Sequence, residues 1–347
     1  MSSLRQVVPF GLCLIAAGGA HALVIHPIFD SSITSLANAS VVESSFNKVV
    51  QAFQNNLTGG GTVNVGVSWG KINGYAMRSN DIGESMDWLY GYYSYAQLKS
   101  YETNAANLQG PTSAIAQSVA YLPTTAPGGV TRYVVPSAEA KALGIINPNQ
   151  ASTDGYVGFG SGVAYTFDPT NGVAAGTYDF QAVVAHELEE VLGRMSGLSS
   201  ATPTYRTAFD LLRYSAPGQL SFSYNSPAYF STNGGQTNEG QFNISPSGGD
   251  RSDWANSGST YSDIQNAFLT PGQHRNLTAA DLAGLDALGY GGVNAGSGAS
   301  WSPTSIAQSF VSAPPGVPEP QTWSLMLVGV ALTGSLLRRR PRMVTAN

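Results

Sequence analysis

The chain has one cysteine in 347 residues, Cys13. A lone thiol excludes an intramolecular disulfide framework, so the fold must hold by packing alone. Histidine is almost as scarce, four residues at positions 21, 26, 186 and 274. Any metal site here must therefore rely largely on oxygen ligands. Charge is thin as well: only 11% of residues are Asp, Glu, Lys or Arg, and the 21 acidic residues outnumber the 16 basic ones. That balance lacks the basic footprint of a nucleic-acid binder, and no nucleic-acid partner is expected. Long apolar runs are confined to the two ends.

At the first end, Arg5 precedes the apolar run Val7 to Ala17, and Ala20-His21-Ala22 follows as a small-x-small cleavage site. This reads as a secretory signal over residues 1–22 that contains the only cysteine. At the other end, Val317-Pro318-Glu319-Pro320 leads into the apolar run Thr322 to Leu337 and then Arg338, Arg339, Arg340 and Arg342. The 317–342 segment resembles the PEP-CTERM sorting tail of Gram-negative bacteria. The resemblance implies an exosortase-type partner that cuts near the Pro-Glu-Pro motif and passes the protein to the surface; a plain membrane anchor is the alternative. The arginines would stay cytoplasmic, and the run is short of the roughly 20 residues that span a bilayer comfortably, which suits a transient anchor. Without both ends 11 basic and 20 acidic residues remain, a net charge of about −9. Residues 23–290 are ample for a packed domain, and the Gly/Ser/Pro-rich stretch 291–316 reads as a flexible linker.

The richest stretch runs from Tyr178 to Gly197, YDFQAVVAHELEEVLGRMSG. Val184, Leu188, Val191, Leu192 and Met195 recur at helical spacing and predict a helix over about 178–197 with one apolar stripe. His186 and Glu190 are four apart, so their side chains lie one above the other and can address one ion. Glu187 would stand beside that ion, where a bound water needs a base. The bland alternative is a solvated acidic face.

His186-Glu187-Leu188-Glu189-Glu190, with Gly193 seven residues after the histidine, resembles the metzincin pattern H-E-x-x-H-x-x-G-x-x-H. Glu190 stands where the second histidine would be and Ser196 where the third would be. No methionine lies between Met195 and the tail to form a Met-turn. The resemblance implies an α+β, zincin-like fold, a twisted sheet packed with helices and a loop-rich C-terminal subdomain. The wider pattern includes DLLRYSAPG at 210–218, a glycine-rich stretch ending in Asp253-Trp254-Ala255, and the LDALGY helix at 285–290. It is similar to a group of exported bacterial proteins regarded as zinc metalloproteases.

Elsewhere the pattern gives individual elements. Ser40 to Leu57 reads as an amphipathic helix buried through Val42, Phe46, Val49, Val50 and Phe53, and Thr62 to Trp69 as a strand with one covered face. Trp88, Tyr90, Tyr92, Tyr93 and Tyr95 mark an aromatic-rich segment before a helix at about 96–106. Short helices are expected at Ser137 to Leu143 and, from a capping box at Thr278 to Asp281, through Leu282, Leu285 and Leu288. Gly155 to Phe167 is β-rich; in zincins a strand before the metal helix offers its edge to an extended substrate, the alternative being a core hairpin.

The expected ligands are His186, Glu190 and, as the third, Asp210, with His274 as the other candidate. Glu187 would act as general base, with Tyr214 assisting at the carbonyl. Zn2+ is the expected ion; a carboxylate in place of imidazole makes the site harder, which leaves other divalent ions open. The function implied is an exported metallopeptidase acting on peptides or proteins. The alternative is a non-catalytic cell-surface or biofilm-matrix protein on the same scaffold, binding polysaccharide.

Overall fold

The computed structural model describes residues 22–201, 203–258 and 261–291. The expected signal up to residue 21, the linker past 291 and the sorting tail lie outside them. Among the described residues no helix is long and apolar enough to cross a membrane.

A four-stranded sheet forms the frame. Strand β1 (Val24–Phe29) runs parallel to β2 (Thr62–Trp69), β2 parallel to β4 (Gly155–Phe159), and β3 (Gly83–Asp87) antiparallel to β4, giving the order β1-β2-β4-β3. A parallel neighbour demands a crossover, and helix α1 (Ala39–Asn56) provides the first one. It buries Val42, Phe46, Val49, Val50 and Phe53, the stripe its 3.6-residue spacing predicts.

Strand β2 departs from expectation. Its alternation suggested one covered face, yet Asn64 and Ser68 are buried too. Asn64 is tolerated because its backbone N–H donates to Asp154 (2.8 Å) and its side chain to Ser152 O (3.1 Å). Asp154 in turn takes a 2.6 Å ion pair from Lys141, both side chains fully enclosed. Strand β4 is internal, neither edge nor hairpin; the free edge on that side of the sheet is β3.

Between β3 and β4 lie α2 (Tyr95–Gln109), begun by a Ser94–Gln97 capping box, α3 (Ala114–Tyr121) and α4 (Ser137–Ala142). Helix α5 (Phe180–Val191) packs on β3, β4 and α1. Phe180 anchors it, 4.6 Å from the Phe159 ring and 4.9 Å from Phe167. A buried Phe of this kind stabilises by about 1.5–3 kcal/mol.

The C-terminal part is loop-rich, as expected, with strands of two to four residues at Arg213–Ala216, Gln219–Leu220, Tyr229–Phe230 and Gly240–Gln241. Phe209, Phe230, Phe242 and Trp254 form its aromatic core, with ring centroids 5.3–6.5 Å apart along their contacts. Helix α6 (Ala279–Leu285) opens with the expected Thr278–Asp281 capping box, and Gly289 reverses the chain at φ 103°. The whole is a mixed α+β fold.

Candidate metal centre

Helix α5 is shorter than its 178–197 pattern. Tyr178 and Asp179 form a two-residue strand beside Tyr165 and Thr166. Asp179 then caps the helix by accepting from Gln181 N (3.1 Å) and Ala182 N (3.2 Å). The helix stops after Val191, and Gly193 at φ 109° leads the chain away; a Cβ there would come 3.1 Å from Glu139 Cβ. All twelve residues of α5 are buried, acidic ones included, so the solvated-face alternative does not hold.

His186, Glu190 and Asp253 each offer a ligand atom, and these atoms lie within 4.8 Å of one another. That span is what donors about 2.0–2.3 Å from a shared ion can reach. The ligands come from one turn of α5 and from the loop preceding Trp254. His186 Nδ1 lies 2.8 Å from Ile264 O. A carbonyl only accepts, so Nδ1 carries a proton and Nε2 is the nitrogen that faces Glu190. Gln265 Nε2 donates to His186 O at 3.0 Å, which ties the 264–265 segment to the helix a second time.

Glu190 is held from β3. Ser85 Oγ donates to Glu190 Oε2 at 2.6 Å, while Glu190 Oε1 stays 3.8 Å from His186 Nε2. Asp253 Oδ2 accepts from Asp250 N at 2.6 Å. One imidazole and two carboxylates are a suitable donor set for a divalent ion, and their negative charge is a standing electrostatic reason for one to bind. Glu187, one residue from the first ligand, is packed against the same edge strand. A Cβ at Gly83 would fall on its carboxylate and within 2.6 Å of Val183 Cγ1, so β3 passes this close only because position 83 is glycine.

Asp210 is not part of this cluster. It accepts from Ser196 Oγ (2.6 Å), Gly197 N (2.9 Å) and Thr207 N (3.0 Å), and so closes the loop after α5. Ser196, at the position of the third metzincin histidine, serves that loop. Tyr214 is buried in the Arg213–Ala216 strand with its ring beside Gly235, and burial pushes its phenol up to about 12. It does not line the pocket at His186. His274 spends one ring nitrogen on Asp179 and the other on Asn276 Oδ1 at 3.1 Å. His26 Nδ1 sits 3.2 Å from Asn64 Oδ1, on the far edge strand.

The back of α5 is closed differently. Arg194 Nη1 donates to Glu189 Oε2 and to Asp281 Oδ1, both at 3.1 Å, and its guanidinium lies 4.0 Å from the Trp254 ring centroid. Trp254 Nε1 donates to the same Asp281 oxygen at 3.1 Å. Burial and Asp281 push Glu189 well above the usual carboxylate range, although Arg194 opposes them. Asp253 is thus placed by its neighbour: Trp254 is locked onto Arg194 and Asp281.

A small pocket opens on the other side of His186 and Glu187, with Ile82, Val183, Ile264 and Leu269 as its apolar walls and Asn266 and Arg275 as further lining. Comparisons of the chain with models of protein families, with curated proteins and with solved structures find no match.

Proposed function

We propose that the protein is an exported metallopeptidase of zincin type, with His186, Glu190 and Asp253 holding Zn2+ or another divalent ion and Glu187 as general base. The observation that carries this reading is the convergence of three ligand atoms within 4.8 Å on a fully buried helix, with Glu187 adjacent. Asp253 takes the role that spacing had suggested for Asp210. When bound, the ion would polarise the scissile carbonyl and acidify a water. Glu187 accepts the proton of the attacking water; as the C–N bond breaks, it returns that proton to the leaving amine. Ser85 keeps Glu190 turned toward the ion, and the Ile264 carbonyl keeps His186 in the tautomer that can ligate.

Export, an exosortase-type partner and transient attachment to the membrane belong to this reading through the terminal segments, and a peptide or protein is the substrate. A second reading is a non-catalytic surface protein that binds polysaccharide. It draws on Trp88, Tyr90 and Tyr92, which stand exposed on one short segment beside the sheet.

Elemental analysis of the purified full chain separates the two. The first reading expects near-stoichiometric zinc in the parent, loss of at least about a hundredfold in affinity in Glu190→Ala and Asp253→Ala, and retention in Asp210→Ala. Glu187→Gln should keep the metal and lose peptide hydrolysis. No divalent metal in zinc-replete preparations would leave the surface-protein reading standing.

A further inference from the structure

Arg275 is an unusual wall for a pocket beside a metal centre. It is 2% exposed, and every partner of its guanidinium is neutral. Nη1 donates to Tyr261 O, and Nη2 to Phe268 O (3.2 Å) and Gln273 Oε1 (2.9 Å). The Tyr261 ring lies 4.7 Å away under the cation, and Nε is sealed from solvent with no hydrogen bond. No carboxylate among the described residues comes within ion-pair distance of Arg275. Its direct partners are dipoles; burial lowers its pKa, opposed by Tyr261 and, beyond ion-pair distance, by Asp263.

Other buried arginines are not equivalent. Arg194 is flanked by Glu189 and Asp281. Arg213 and Arg251 also rest on carbonyls and rings, but they belong to the C-terminal core and line no part of the pocket. Arg275 shares the lining of a small pocket with His186 and Glu187. Of the remaining walls, Ile82, Ala182, Val183, Ile264 and Leu269 are apolar and Asn266 adds an amide. A ligand group entering there meets largely apolar sides and one fixed cation, with the Asn266 amide and the Glu187 carboxylate also on the wall. Of the groups a peptide can present, a carboxylate on a short aliphatic stem matches both, and a charge-assisted bond in so dry a place is stronger than its surface equivalent.

We propose that Arg275 is the anion-recognition residue of this pocket, and that the site takes peptides presenting a carboxylate next to the bond to be cut, from an acidic side chain or from a free C-terminus. The assignment of the carboxylate to a peptide rests on the metallopeptidase reading. The capture of a carboxylate by Arg275 does not.

The test uses unreactive probes, so that binding is read apart from hydrolysis. N-acetyl-glutamate amide carries a side-chain carboxylate, N-acetyl-leucine a terminal one, and N-acetyl-glutamine amide is the neutral isostere. Their affinities are measured by calorimetry on the full chain, metal-loaded and in the Asp253→Ala variant, where no ion can attract the carboxylate. One or both carboxylates should bind at least about tenfold tighter than the glutamine probe in both proteins. Which of the two wins identifies the source. Arg275→Gln should abolish the discrimination and Arg275→Lys should keep part of it, since the charge survives and the planar fork does not. Equal affinity for all three probes in the parent overturns the proposal even if the Gln variant fails to fold, as does discrimination that persists in a folded Arg275→Gln. Carboxylate selectivity in a protein that binds no metal would keep the Arg275 site and dismiss the metallopeptidase.

Discussion

Glu189 and Glu190 are neighbours on one buried helix and have opposite surroundings. Glu189, on the back of α5, is bonded to Arg194, which Asp281 also holds and which lies on Trp254. Glu190, on the front, meets a serine hydroxyl, the His186 imidazole and, within ligand range, another carboxylate. The back carries its own cation and is complete as protein. The front gathers two acids and an imidazole whose ligand atoms lie within 4.8 Å of one another. The two differ because Arg194 follows the helix directly and folds back, whereas β3 offers only Gly83 and Ser85 to the front.

The contrast breaks most visibly at Arg194. Arg194→Ala would leave Glu189 and Asp281 buried against each other with no cation, at a cost of about 3–5 kcal/mol. Glu190→Gln in the metal-free protein removes a like charge from the front, so its urea midpoint should be unchanged or raised. Both variants are measured by urea unfolding under chelating conditions. A Glu190→Gln protein as unstable as Arg194→Ala would mean that the front, too, is structural.

Local patterns made the frame legible. The strand Thr62–Trp69 and the Thr278–Asp281 cap appear where the sequence puts them, because alternation and capping need only neighbouring residues. His186, Glu187 and Glu190 were legible for the same reason, lying within two turns of one helix. Asp253 was not. It reaches α5 through the fold of the 250–265 segment, held by Trp254 to Asp281 and by Ile264 to His186. The one available clue was Asp253-Trp254 itself, an acid beside the only tryptophan of residues 218–265. Asp210 was favoured on its distance along the chain from α5, and sequence distance cannot show that Ser196, Gly197 and Thr207 occupy its carboxylate. Nor could periodicity show that α5 is buried all round, since the partners of its acids lie far along the chain. The zincin expectation stays at the level of a mixed α+β fold with an antiparallel edge strand beside the site.

Ser85 sharpens the comparison at a smaller scale. Its hydroxyl donates to a ligand carboxylate on the front of α5, at 2.6 Å from Glu190 Oε2. Ser85→Ala should fold normally and bind the ion about 10–100-fold more weakly, read by competition with a chromophoric chelator. Asp210→Ala should do the reverse. It frees three donors of the 196–207 loop, lowering stability by a few kcal/mol at most, with metal affinity unchanged. Loss of metal in Asp210→Ala alone would return that residue to the ligand set.

The smallest effect belongs to the buried carboxyls beyond the C-terminal end of α5, where Glu139 packs against Gly193. Burial raises Asp87 and Glu102 to about 8, and burial with Glu102 and Asp87 nearby holds Glu139 well above its usual range. Asp87 is half-buried as a residue, but its Oδ1 is sealed from solvent, as are Glu102 Oε2 and both Glu139 oxygens. Unlike Glu189, none of the three has an arginine on it. Between about pH 4 and pH 8 the folded protein keeps protons on Asp87 and Glu102 that the unfolded chain has released, so these groups favour folding least at the alkaline end. The relative stability is fully present below the unfolded pKa values and is lost as pH rises through about 8. Glu102→Gln should match the parent at pH 5, where a protonated carboxyl is replaced by another neutral group, and exceed it at pH 8.5. Urea midpoints of the two proteins across that range decide it: a parent whose midpoint rises with pH while the variant's does not would show that Glu102 is ionised in the fold and belongs with Glu189 as an acid that has a cation of its own.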